Sequence, residues 1–276
     1  MRRSLQVWLM AAWIISVLAL PLSTFPAAQS ATTGVPRAPD GKPDLTGVWQ
    51  SGTNRRGTWE EANTGFGVGG TGRESPPATP APAPAREPAP YTPEAAKKVL
   101  QSFNLRAIND PTARCLPAGV PRANSIGLFP IQIVQTPKQI VILYEYMNVF
   151  RIIPLDAKHP EDLDPTYMGD SVGRWEGDTL VVDVTGFNDR TWLIGAGTFH
   201  TDALRVTERY TRVDKDTIVY DAVIEDPNVL TKPWEYRTTL MLREGTRLGE
   251  YVCAENNLEP ERVEKLLKDG TEFRRP

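Results

Sequence analysis

The sequence predicts a mainly β protein, an antiparallel meander barrel with one or two short helices. A β-sandwich is the alternative. Two observations carry this. From Leu128 onward apolar and polar residues alternate with period two, which puts successive side chains on opposite faces of a strand. The alternating runs are also joined by short turn-forming triplets, as in a meander. Helical crossovers long enough for a parallel α/β sheet are absent.

The expected strands follow in order. Leu128–Gln135 and Gln139–Tyr146 flank Thr136-Pro137-Lys138, and Val149–Leu155 comes next. Ser171–Trp175 and Thr179–Val184 flank Glu176-Gly177-Asp178. Leu204–Val213 and Thr217–Glu225 flank Asp214-Lys215-Asp216. Trp234–Arg243 and Gly249–Cys253 read as a last hairpin. With Asp44–Gln50 as a first short strand, these runs are ten candidates for a barrel of about eight or nine strands, enough to close it and remove exposed edges. Thr92 as N-cap, Pro93 at the first helical position and Glu94 in the first turn start a helix that runs to about Leu105. Pro260–Lys268 is amphipathic and reads as a short C-terminal helix.

Four segments organise the chain. Residues 1–30 read as a signal peptide: Arg2-Arg3, an apolar run from Leu5 to Leu22, then Ala28-Gln29-Ser30 with small residues at the cleavage site. A retained anchor is the alternative. No second run is long enough to span a bilayer, so no transmembrane anchor is expected after cleavage, and the protein should be periplasmic or secreted. Residues 31–51 form an N-terminal segment ending in the first strand. Residues 52–92 are rich in Gly, Pro and Ala, with eight Pro between positions 76 and 93, a composition expected to give a flexible insert. Residues 93–276 carry the helix and the barrel, onto which 44–50 packs.

The charge balance, 31 Lys+Arg against 34 Asp+Glu in 276 residues, is too even for a protein that binds nucleic acid by neutralising phosphates. Two Cys and two His exclude four-cysteine zinc and iron–sulfur sites. In an exported chain Cys115 and Cys253 are expected to form one disulfide, the alternative being two free thiols. No metal site or cofactor motif is found: the glycine run Gly65–Gly70 opens no helix, and no G-x-S-x-G occurs.

Gly47-Val48-Trp49 ahead of a meander resembles the G-x-W start of lipocalins and related calycin barrels, which implies a Trp closing one barrel end. A longer resemblance covers most of the mature chain. PDGKPDLTGVW at 39–49, Arg114–Pro117, and Met168–Asp183 with its VGRWEGDTLVVD core are similar to an uncharacterised family of exported bacterial proteins. Thr185–Asp189 and Glu250–Cys253 continue that likeness, which implies export but no reaction.

Strand alternation points to acids inside the barrel. Glu208 shares a face with Leu204, Val206 and Tyr210, and Glu145 shares one with Val141 and Leu143. Arg151 lies between Val149 and Ile153. Two inward carboxylates and an Arg suit acid/base work or a clamp on a polar ligand, or a structural ion pair such as Glu208–Arg151. His200, after the Gly195–Phe199 loop, could act as a general base at a barrel mouth, or simply hold its loop. His159 reads as an exposed loop residue. Asn188, Asp189 and Trp192 could line a ligand site, or form an Asx-turn beside a packing Trp. The leading expectation is a barrel that binds a small, largely apolar ligand, with Arg151, Asn188, Asp189, Trp192 and Tyr210 as contacts. The alternatives are an isomerase or hydrolase using Glu145, Glu208 or His200, and a cell-envelope interaction protein.

Overall fold

Among the described residues nine antiparallel strands wind into one sheet that curls into a nearly closed barrel. The computed structural model describes residues 34–52, 88–104, 110–195, 197–255 and 257–270. The expected signal peptide at 1–30 and most of the Gly/Pro/Ala-rich segment lie outside the described residues. The strands are β1 (Gly47–Ser51), β2 (Ile131–Gln135), β3 (Gln139–Tyr144), β4 (Val149–Pro154), β5 (Asp170–Glu176), β6 (Thr179–Thr185), β7 (Arg205–Arg212), β8 (Thr217–Glu225) and β9 (Trp234–Leu242). Helix α1 spans Pro93–Asn104 and α2 spans Glu259–Lys268.

The strand order is β4-β3-β2-β1-β9-β8-β7-β6-β5. The first and last strands thus pair in the middle of the sheet, with Trp49 opposite Leu242. The consecutive strands β4 and β5 are its two edges. In an antiparallel ring of odd strand number, the two strands that meet at closure must run the same way. Leu155 and Gly173 accordingly form a parallel bridge, with the Asp156 N–H donating to the Gly173 carbonyl at 2.8 Å. Parallel neighbours need a long connection, and residues 155–169 provide it by crossing from one barrel end to the other. Towards the start of β4 and β5 no strand ladder joins the two edges among the described residues.

Period-two burial sets the core. Ile140, Ile142 and Tyr144 point inward from β3, Leu180, Val182 and Val184 from β6, and Ile218, Tyr220, Ala222 and Ile224 from β8, each nearly or wholly shielded from solvent. Tyr210 and Tyr220 are register partners whose rings lie 5.0 Å apart. This packing fills the barrel between the strands with side chains.

Trp49 on β1 is fully buried. Its indole N–H donates to the Leu45 carbonyl at 2.9 Å, and the Arg212 guanidinium lies over its ring at 5.1 Å. Arg212 in turn donates to the carbonyls of Asp44 and Lys215. Gly47 has φ +151, and a Cβ there would come within 2.8 Å of the Leu242 side chain, so a side chain would displace the β1–β9 contact beside Trp49.

Two expectations are corrected. Gly249–Cys253 is not a strand. β9 already has β8 on one side and β1 on the other, so it has no free edge for the second strand of a hairpin. The segment is instead held by side chains and one disulfide. Tyr251 packs against Phe129 and Tyr146, with ring centroids 4.8 and 5.3 Å away. Asn148 donates to the Tyr251 carbonyl, Asn257 donates to the Ala113 carbonyl at 2.8 Å, and Cys253 is bonded to Cys115. Secondly, residues 88–92, the end of the segment read as a flexible insert, are packed. Tyr91 bridges to Leu230, its hydroxyl donates to the Phe199 carbonyl at 2.7 Å, and its ring stacks on Phe199. No helix among the described residues is long and apolar enough to cross a membrane.

Candidate functional site

Alternation along β7 and β4 carries Glu208 and Arg151 into the barrel, where they meet. Glu208 is fully buried and Arg151 is 3 % exposed. Arg151 Nη2 donates to Glu208 Oε2 at 2.5 Å, and Nη1 to Oε1 at 3.2 Å. Glu208 Oε1 also accepts from the Tyr220 hydroxyl at 2.8 Å, the Tyr210 hydroxyl at 3.0 Å and Asn124 Nδ2 at 2.9 Å. Asn124 Oδ1 accepts from the Tyr144 hydroxyl at 3.0 Å. Ser171, on the inner face of β5, accepts from Arg151 Nη2 at 2.8 Å.

The network is electrically neutral overall, which is how a barrel interior can hold a charge pair at all. Burial works against the Arg151 charge, yet the Glu208 carboxylate beside it holds the guanidinium well above its ordinary value. Burial pushes the Tyr144 hydroxyl up to about 12. Burial and then Glu208 raise Tyr210 and Tyr220 well above the usual phenol value. All three phenols are therefore neutral donors across the physiological range. With both oxygens engaged and no exposure, Glu208 is built as an ion-pair partner and is poorly placed to exchange protons with a substrate.

Of the other sequence candidates, Glu145 does not enter the barrel. It follows the last residue of β3, and Val141 and Leu143 lie on the outer face of that strand. Its Oε2 accepts from the Gly249 N–H at 2.5 Å, so it anchors the C-terminal segment. The strand alternates as expected, but its buried set is Ile140, Ile142 and Tyr144, one residue out of phase.

His200 is 2 % exposed. Nδ1 lies 2.8 Å from the Thr201 carbonyl, which can only accept, so Nδ1 carries the proton. Nε2 then accepts from the Thr191 hydroxyl at 2.6 Å. Thr191 is crowded from its far side by Gly119 at φ +77, where any Cβ would fall 2.5 Å from the Thr191 hydroxyl. The imidazole thus holds its loop. Burial lowers its pKa, with the Thr201 carbonyl and nearby carboxylates opposing only in part. The folded state disfavours the proton that the unfolded chain takes up near 6.5. This contribution is therefore present above about pH 6.5 and is lost as pH falls from there towards the depressed value. In that window stability should drop by at most about 1.4 kcal/mol per pH unit from this group, the limit for one proton. Urea unfolding between pH 7.5 and 5 should show the drop, and His200→Gln should flatten it. An unchanged slope in the variant would rule the group out.

His159, expected to be exposed, is half-buried in the 155–169 crossing. Its Nδ1 sits 2.5 Å from Asp170 Oδ1 and its Nε2 3.3 Å from Asp183 Oδ2. Asp183 also accepts from Arg205 Nε at 2.9 Å. Burial raises the Asp183 carboxyl, but Arg205 and His159 outweigh it and hold it below the usual range. The cluster pins the crossing segment to β5 and β6.

Two cavities bear on ligand binding. One, of about 370 Å³, lies along the unpaired stretch of the β4–β5 seam. Arg151 and Ser171 reach its wall from the barrel interior, and Asp170 lies beside them. Pro117, Val149 and Met168 supply apolar wall. Phe150 and Ile152, on the outer face of β4, flank it at 62 % and 49 % exposure. The second, of about 760 Å³, is a polar basin among the loops, lined by Asn188, Asp189, Arg190, Thr201, Asp202 and Asn228 with Tyr167 and Pro165. Asn188 Oδ1 accepts from the Arg190 N–H at 3.1 Å, the Asx-turn that was the alternative for this loop. Trp192 is 5 % exposed, with Arg122 5.8 Å from its ring centroid. Trp192 and Tyr210 are on the wall of neither cavity.

Among the expected ligand contacts the seam cavity therefore takes Arg151, and the loop basin takes Asn188 and Asp189. Sequence reasoning missed Asn124, Tyr144, Tyr220 and Ser171. The two tyrosines were legible as inward positions beside Ile142 and Ala222, whereas Asn124 sits in a short 3₁₀ turn that no periodicity marks. No family model, no curated protein and no solved structure matches the chain.

Proposed function

We propose that the protein is exported and binds a small, largely apolar molecule at the β4–β5 seam. The observation that carries this reading is the coincidence of three features at one place. The ladder of strand pairing lapses there, a cavity of about 370 Å³ fills the gap, and solvent-exposed Phe150 and Ile152 stand beside it. Small-molecule sites combine apolar walls with a few fixed polar groups, and here Arg151 and Ser171 are fixed by the buried network. The Cys115–Cys253 disulfide supports export to an oxidising compartment. The site is at the barrel's flank, because tyrosines, isoleucines and the ion pair occupy its interior.

Nile red, a neutral dye that brightens in apolar surroundings, should bind one to one. The double change Phe150→Glu, Ile152→Glu should weaken it by about tenfold or more, a loss of roughly 1.4 kcal/mol. The melting temperature should stay close to wild type, since both side chains already face solvent. Unchanged dye affinity in that variant, or no binding by the wild type, would overturn the seam as the site.

A further inference from the structure

The seam reading leaves the ligand's chemistry open, and the groups on the cavity wall narrow it. Arg151 spends Nη1 and Nη2 on Glu208, Tyr144 and Ser171, while its Nε–H has no acceptor among the described residues. A buried donor left unmade costs about 1–3 kcal/mol, so an arriving acceptor has something to gain there. Ser171 Oγ accepts from Arg151, which leaves its own proton to donate. The inner end of the cavity is thus rich in donors.

Charge decides what kind of acceptor fits. Arg151 and Asp170 are the only charged side chains on the wall among the described residues. The Arg151 charge is already neutralised by Glu208 at 2.5 Å. An incoming carboxylate would find no net positive charge, would face Asp170, and would lose its hydration on entering an apolar cleft. A neutral oxygen bears none of these costs. Resting on the seam as the binding site, we infer that the ligand class is a neutral, largely apolar molecule with a carbonyl group. The carbonyl oxygen accepts from Ser171 Oγ–H and Arg151 Nε–H, and the apolar body lies against Val149, Met168, Phe150 and Ile152. Nε thus belongs to a residue on the cavity wall and has no acceptor of its own. A cavity of about 370 Å³ suits a body on the order of ten to twenty non-hydrogen atoms.

Three probes of similar size separate the chemistries: acetophenone, ethylbenzene and benzoate, each used to displace Nile red from the full mature protein at pH 7. Acetophenone should displace the dye at about three- to tenfold lower concentration than ethylbenzene, the net value of one hydrogen bond. Benzoate should displace it least. Ser171→Ala should narrow the gap between acetophenone and ethylbenzene, with Arg151 Nε–H still donating, while leaving ethylbenzene unchanged. Equal potency of ketone and hydrocarbon in the wild type, benzoate as the best competitor, or a ketone preference undiminished by Ser171→Ala would each overturn the carbonyl assignment. So would failure of all three probes against dye bound at the seam. In all these cases the seam remains the site. Dye binding that ignores Phe150→Glu, Ile152→Glu overturns both.

Discussion

Arg151→Met should destabilise the protein by about 3–5 kcal/mol, because it strands the Glu208 carboxylate inside the barrel. Tyr210, Tyr220 and Asn124 would still donate to Glu208, but three neutral donors do not replace a cation at 2.5 Å. Glu208→Gln should be costly for the mirror-image reason, leaving the guanidinium without its counter-charge. For a chain of this size a loss of that order lowers the melting temperature by about 10 °C. The double variant Arg151→Met, Glu208→Gln should be less destabilised than the sum of the two, with a coupling of about 2 kcal/mol or more in urea unfolding. Single changes that each cost under about 1 kcal/mol would show that water or a neighbouring side chain compensates, and the pair would lose its place as the organising contact of the interior. Glu208 does not line the seam cavity, so Glu208→Gln in its folded form should lower Nile red affinity far less than Phe150→Glu, Ile152→Glu does. That result separates support of the fold from contact with ligand.

Removing the Cys115–Cys253 bond should have an effect of similar size. The bond closes a loop with a sequence separation of 138, which in the chain-entropy model is worth about 4–5 kcal/mol. The structure adds a local consequence. Past β9 the chain has no strand partner among the described residues and is held by the bond, the Tyr251 aromatic cluster, and the hydrogen bonds at Glu145, Asn148 and Ala113. Cys115→Ser, Cys253→Ser should therefore both lower the melting point and open residues 243–258 to protease in the otherwise folded protein. Reduction of the wild type should reproduce the shift. Identical melting with and without reductant would mean that the side-chain contacts hold the segment by themselves.

The barrel was legible because its strands obey one rule throughout. Each turn triplet read from the sequence does join two paired strands, and Glu208 and Arg151 were placed inward by counting in twos. The same counting failed for Glu145, because both faces of β3 are apolar in sequence and the buried one is Ile140, Ile142 and Tyr144, which leaves Val141, Leu143 and Glu145 outside. It also failed for Gly249–Cys253, whose alternation is sound but whose would-be partner has no free edge. Pairing is a property of the whole sheet, and a segment carries no mark of which edges others have taken. The seam cavity was hidden for a related reason. It follows from the parity of the strand number, and a count of eight instead of nine would have closed the barrel antiparallel all round. Asn124 and Ser171 acquire their roles only from neighbours far along the chain.

The pairing of β1 with β9 bears on how the chain reaches this state. An ordinary meander can add hairpins in the order in which they are made. Here β2, β3 and β4 can zip onto β1 early, but the far edge of Gly47–Ser51 waits for Trp234–Leu242. Until the last strand arrives the molecule is two partial sheets, each with open backbone on the side where the other belongs. Contacts of such long sequence separation close slowly, and unpaired edges in the interval invite association with other chains. A chain truncated before β9 would therefore be expected to stay open and sticky, and no smaller barrel would be available to it.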